Sequence, residues 1–137
     1  MYTQLRIESI ISQPISRTWE CWTTPEHITQ WNFASDDWCC PWARVDLREG
    51  GGYCARMEAK DGSMGFDFEG TYEKLILGQK IVLLLGDGRR ATTTFESLGE
   101  GTRVVTVFDA EKQNPEELQL QGWQAILNQF KKHAETA

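Results

Sequence analysis

Side chains able to do chemistry are sparse in this sequence. It holds two His and four Cys (Cys21, Cys39, Cys40 and Cys54). No CxxC pair occurs, and the spacing fits neither a disulfide framework nor a metal site, so reduced thiols and no metal are expected. Cys39-Cys40 has no helix start or cation cluster beside it that would lower a thiol pKa. His27 has no partner in the sequence to orient it as a general base. Gly50-Gly51-Gly52 precedes a strand-like pattern rather than a helix, so it reads as a bend or bulge and not as a phosphate cradle. Asp67, Glu69, Thr71 and Glu73 alternate with apolar residues and fall on the solvated face of one strand. No catalytic residue and no cofactor is expected from this inventory.

The sequence does offer an apolar lining. Leu120, Trp123, Leu127, Phe130 and Ala134 recur at intervals of three and four, one stripe of a helix. Leu127 and Phe130 read first as plain core. Towards the helix start, Glu116 and Gln119 fall on the same side as Leu120 and Trp123, which places the mouth of a pocket there, since polar groups on such a face need water or a ligand. Phe66, Phe68, Tyr72 and Met57 belong to strand faces that could form the opposite wall. Small-molecule pockets are mostly apolar with a few placed polar groups, and Tyr and Trp supply both. The expected ligand-binding set is therefore Trp31, Met57, Phe66, Phe68, Tyr72, Glu116, Gln119, Leu120, Trp123 and Leu127, with Tyr72, Trp123 and Gln119 as hydrogen-bonding orienters. Trp31, Phe33, Trp38 and Trp42 form an aromatic-rich stretch, either a lid over the opening or a partner surface.

The elements that must position these residues are legible from periodicity. Asn114-Pro115-Glu116-Glu117 signals a helix start with Asn as cap and Pro as first helical residue, and the helix runs to the last residues. Leu5, Ile7, Ser9 and Ile11 alternate as a first strand. Pro14 opens a short helix with Ile15, Trp19 and Trp22 on one face, and Thr24-Pro25 opens a second carrying Ile28 and Trp31. Asn32 to Pro41 reads as an irregular excursion. Strands are then expected over Arg44–Leu47, around Tyr53–Ala59, over Phe66–Glu73, Ile81–Leu85, Arg90–Leu98 and Thr102–Phe108, with turns at Asp61-Gly62, Leu77-Gly78, Gly86-Asp87-Gly88 and Gly99-Glu100-Gly101. Short links imply antiparallel neighbours. The fold class is α+β: a curved antiparallel sheet of about six to seven strands around a long C-terminal helix, with two short helices after the first strand.

Composition bounds the partners. At 137 residues the chain is expected to be one domain, residues 1–137. Its net charge of -6 disfavours nucleic acid and anionic membrane surfaces. No apolar run reaches the roughly 18 residues a membrane span needs. The first residues show no signal-peptide pattern, so a cytoplasmic location is expected. The expected partner is a hydrophobic small molecule, with a homodimer left open.

The local motifs resemble one family. The run Trp22-Thr23-Thr24-Pro25-Glu26-His27-Ile28 leading to Trp31 is similar to its helix-to-helix pattern. Val45-Asp46-Leu47-Arg48-Glu49-Gly50-Gly51 resembles its Asp-x-Arg-x-Gly-Gly stretch, and Met57 with Asp61-Gly62, Gly70-Thr71-Tyr72-Glu73 and Gly122-Trp123 complete the set. Together they resemble the START-like (SRPBCC) superfamily, in the branch named after the activator of heat-shock-protein-90 ATPase. The resemblance spans essentially the whole chain and implies a helix-grip fold with a cavity for apolar, lipid-like or aromatic molecules. It also leaves open a cyclase- or dehydratase-type enzyme, which the superfamily contains, and a co-chaperone-like interaction module. The namesake's further N-terminal domain has no counterpart in these residues, which weighs the expectation towards ligand binding.

Overall fold

Alternating apolar residues and regularly spaced turn glycines produce a meander. The computed structural model describes residues 2–137. Strand β1 (Gln4–Ile11) is followed by helices α1 (Ile15–Thr23) and α2 (Pro25–Ile28). Then come β2 (Trp38–Cys39), β3 (Ala43–Val45), β4 (Gly52–Ala59), β5 (Gly65–Ile76), β6 (Lys80–Leu85), β7 (Arg90–Ser97), β8 (Thr102–Asp109) and the long helix α3 (Glu116–Thr136). The eight strands form one antiparallel sheet in the order β1-β8-β7-β6-β5-β4-β2, with β3 also on β4. The expected helix-grip arrangement is present. Several boundaries differ from the expectation: the strand expected over Arg44–Leu47 is Ala43–Val45, β5 runs on past Glu73 to Ile76, and Trp31 lies beyond the end of α2. Trp38–Cys39, inside the stretch read as irregular, pairs with Glu58 and Ala59 of β4. The long helix begins at Glu116 with Pro115 as its cap residue and no side-chain cap, so Pro115 lies one position earlier than expected.

The sheet curls so that one face is buried. Ile7 and Ile11 of β1, Ala55 and Met57 of β4, Tyr72 of β5, and Val104 and Phe108 of β8 are buried, while their strand neighbours carry the ion pairs of the convex face. Asp67 pairs with Arg56 and Glu73 with Arg90 on that outer face, where the strand phase places them.

Helix α3 is fastened along one edge of the sheet. Gln124 Nε2 donates to the Glu8 carbonyl, Lys131 Nζ donates to the Ile10 carbonyl, and the Ser12 N–H donates to the Glu135 carboxylate. These bonds occupy backbone groups next to the exposed edge of β1, where an open strand would otherwise invite pairing. They draw the helix towards β1 and away from β4 and β5. Within the described residues no helix is long and apolar enough to cross a membrane.

Candidate functional site

Drawing α3 to one side leaves a space on the other. Between α3 and strands β4 to β8 lies a cavity of about 380 Å³, near the lower end of the roughly 300–1,000 Å³ typical of small-molecule sites. Its floor is Trp22, Trp31 and Leu127; its walls include Tyr53 and Met57 of β4, Phe66, Phe68 and Tyr72 of β5, Ile81 and Leu83 of β6, and Trp123 and Ile126 of α3. Phe68 and Trp123 face each other across it with ring centroids 6.0 Å apart. Trp123 is held against the sheet by stacking on buried Phe108, 3.9 Å and 4° from parallel. Phe66 is 48% exposed and lies with Asn114 and Glu111 at the rim, so the opening is at the N-terminal end of α3.

Eight of the ten expected residues line this cavity: Trp31, Met57, Phe66, Phe68, Tyr72, Gln119, Trp123 and Leu127. Leu120 and Glu116 do not. The line Leu120, Gln124, Lys131 is the one bonded towards β1, so Leu120 packs into the core on that side and the cavity is swept by Gln119, Trp123 and Ile126. Glu116 is exposed in the first turn, where water and the helix dipole both favour a carboxylate. Gln119 is buried but not free to orient a guest. Its Oε1 accepts from the Glu111 N–H and its Nε2 donates to the Glu111 and Asn114 carbonyls, which clamps the loop before the helix.

The polar groups of the wall come mostly from residues that periodicity alone did not single out. Asn32 Nδ2 donates to the Tyr53 hydroxyl at 3.1 Å, leaving that O–H able to donate onward. Thr93 and Thr106, on adjacent strands, bond each other at 2.8 Å. Arg89 lines the rim with its guanidinium donating to Asp87 and to the Asp109 carbonyl. Tyr53 shared the β4 alternation with Met57 and was within reach of the sequence; Asn32 and Arg89 sit in loops and had no such signal.

Tyr72 is the exception among these groups. Its side chain is 3% exposed, and its hydroxyl has no protein partner among the described residues while still opening onto the cavity. Burial holds its phenol well above the ordinary range; burial and then the neighbouring Tyr72 do the same for Tyr53. The glycine run positions it: Gly50 N–H donates to the Tyr72 carbonyl and Tyr72 N–H donates to the Gly51 carbonyl. Gly50 has φ +86°, and a Cβ on Gly51 would overlap the Asp46 carbonyl oxygen, so only glycine lets this segment reach β5. The bend read from Gly50-Gly51-Gly52 thus seats Tyr72 in the cavity wall.

Of the aromatic-rich stretch, Trp31 is buried wall, Trp38 is half-buried with its ring 6.2 Å from Phe66, and Trp42 is exposed beneath Arg44. All four thiols are unbridged, and burial, then Cys39, pushes Cys40 up to about 11.

Comparison with known proteins agrees with this architecture. The model of the family described as "Activator of Hsp90 ATPase homolog 1-like protein" matches residues 12–135. The solution structure of the AHSA1-like protein from Aeromonas hydrophila is similar with a TM-score of 0.92 and 41% identity, over 98% of this chain and 93% of that one. Chr148 from Cytophaga hutchinsonii is 42% identical with a TM-score of 0.84, over 97% of this chain and 92% of its own. CV1439 from Chromobacterium violaceum shares the fold at 24% identity and a TM-score of 0.84, over 97% and 98%. No curated protein matches the chain. The fold is consistent with a ligand-binding or a co-chaperone-like module. The family match over nearly the whole length places this chain in the family of Activator of Hsp90 ATPase homolog 1-like proteins, within the START-like superfamily.

Proposed function

We propose that this protein binds a hydrophobic small molecule, lipid-like or aromatic, in the cavity between α3 and the sheet. One observation carries the reading: an apolar chamber of about 380 Å³ onto which the hydroxyl of the largely buried Tyr72 opens with no protein partner among the described residues. A hydroxyl that opens onto such a chamber is free to donate to water or to a ligand. A guest with an apolar body and one acceptor oxygen supplies that bond while burying its body at about 25 cal/mol per Å² before the entropy of association is subtracted. Tyr72 is the orienting donor, Tyr53 a second one, and Trp123 and Phe68 the opposing apolar faces. Gln119 supports the site as the clamp of its rim.

An enzymatic reading of the cyclase or dehydratase type is supported less. The acid on the cavity rim is Glu111, whose carboxylate accepts from the Asn114 N–H, and the other strand carboxylates point outward into ion pairs. The co-chaperone-like reading rests on the family description alone. Unbridged thiols accord with a reducing compartment.

Native mass spectrometry of freshly purified protein, followed by fluorescence titration with the neutral probe N-phenylnaphthylamine, tests the reading. Ala91 lines the cavity and is buried, so Ala91→Phe fills it. The wild-type protein is expected to carry a small-molecule adduct or to bind the probe saturably, and Ala91→Phe to do neither while remaining folded. Equal probe binding by both proteins, or none by either, defeats the proposal.

A further inference from the structure

A second cluster lies away from the cavity, at the opposite end of α3. Cys21 in the last turn of α1, His27 in α2 and His133 in the last turn of α3 bring one ligand atom each within 4.8 Å of one another. His27 Nδ1 and His133 Nε2 are 2.9 Å apart, and Cys21 is fully buried beside them while both imidazoles are half-buried. We propose that these three side chains bind a zinc ion, with the fourth coordination position open to water.

The geometry is close to what the metal needs. Tetrahedral zinc with Zn–N of about 2.0–2.1 Å and Zn–S of about 2.3 Å separates its ligand atoms by roughly 3.3–3.6 Å. The imidazole nitrogens must part by a few tenths of an ångström and the thiol must close in, shifts that side-chain torsions can supply. Two imidazoles that aim ring nitrogens at one point have a simple alternative, a shared hydrogen bond in a packed helix junction. The thiol at the same point is what that alternative does not call for, and a thiolate with two imidazoles is a donor set suited to zinc. Arg17, the nearby cation, pairs with Glu20, which offsets part of its charge. On binding, the Cys21 thiol releases its proton to solvent. The ring that donates in the His27–His133 bond moves its proton to its other nitrogen, so each ion releases one proton. The bound ion would tie the end of α3 to both α1 and α2 in place of the His27–His133 hydrogen bond, which joins only α2 and α3.

Cobalt(II) reports the site because a bound thiolate gives a sulfur-to-cobalt charge-transfer band and a tetrahedral centre gives intense visible bands. The wild-type protein is expected to develop both at one equivalent and to lose them on addition of zinc. C21S should abolish the charge-transfer band, H133N should weaken cobalt binding at least tenfold, and C39S/C40S should keep both bands. Because Cys21 is fully buried and its replacement can lower stability, the thermal midpoint provides a second readout: zinc should raise it for wild type and C39S/C40S, reversibly with a chelator, and not for H133N. Failure to saturate at one equivalent overturns the proposal, as does a charge-transfer band that survives C21S or a zinc-induced shift that survives H133N.

Discussion

The two ends of the space under α3 are lined by similar residues and are built differently. At the C-terminal end, Phe130 is fully buried, and its ring meets Trp22 at 4.8 Å and Trp31 at 5.0 Å, both edge-on, with Trp19 and Phe95 locked at 5.1 Å behind them. At the N-terminal end the corresponding spacings are 6.0 Å for Phe68–Trp123, 6.1 Å for Tyr53–Tyr72 and 6.4 Å for Tyr53–Phe68. Aromatic content therefore does not decide which end fills. What decides it is a third layer. Helices α1 and α2 insert Trp19, Trp22 and Ile28 beneath the C-terminal half of α3, whereas among the described residues no helix covers the N-terminal half, and Trp123 is occupied by its stack on Phe108.

The sharpest way to break that contrast is to truncate the filled end. Phe130→Ala removes a ring with no room for its neighbours to collapse, so it is expected to cost about 3–5 kcal/mol, read from urea denaturation. Phe68→Ala, at the hollow end, removes a ring that already borders empty space and is expected to cost about 1 kcal/mol. Similar losses at the two positions would mean that both ends are equally packed.

Next in size is the rim clamp. Gln119→Ala leaves the Glu111 N–H and the Glu111 and Asn114 carbonyls without their side-chain partner, an expected loss of about 1–3 kcal/mol. Hydrogen exchange should localise the change, with the Glu111 amide accelerated and the strand amides of β7 and β8 unaffected. Acceleration spread across the sheet would show that the loop and the cavity wall unfold as one unit.

Strand and helix periods were enough to place Trp123, Phe68, Met57 and Tyr72 on facing surfaces, because period-two and period-3.6 patterns specify which side a residue takes. They did not specify how far α3 rolls. That roll is set by Gln124 and Lys131 reaching carbonyls of β1, contacts more than a hundred positions apart in sequence, and it moved Leu120 and Glu116 off the cavity. The same limit hid the Thr93–Thr106 pair, which becomes one feature only once β7 and β8 are in register. It also hid the Cys21–His27–His133 cluster, whose members are assembled by helix packing and show no spacing signature. The Gly50-Gly51-Gly52 bend was visible, but its role in seating Tyr72 depended on knowing which strand it meets.

Alkaline pH tests whether the hollow end is a buried environment or an open one. Both phenols are held above their ordinary range, chiefly by burial, so in the unfolded chain they lose protons first. Stability from this source is full below about pH 10 and falls as pH rises beyond it. Urea denaturation at about pH 9 and about pH 11 should show this loss, and Tyr53→Phe and Tyr72→Phe should each reduce it. A phenol that faced open water would titrate alike in both states and its removal would leave the slope unchanged.

The smallest expected change in stability is the most informative about function. Tyr53→Phe breaks a bond from Asn32 and leaves that buried amide without its partner, so it is expected to destabilise by about 1 kcal/mol. Tyr72→Phe breaks no bond within the protein. It is expected to shift stability by no more than about 0.5 kcal/mol, although the residue is only 3% exposed. If the hydroxyl orients a guest, the same substitution weakens binding of an apolar ligand bearing an acceptor oxygen by about five- to tenfold, roughly 1–1.4 kcal/mol. It should leave N-phenylnaphthylamine, which has no acceptor oxygen, bound as before. Calorimetric titration with one ligand of each kind separates the outcomes. Equal losses for both ligands would make Tyr72 a shape element of the wall. A loss of stability without a loss of binding would show that its hydroxyl is already satisfied inside the protein, and the hollow end would then be an ordinary, loosely packed part of the core.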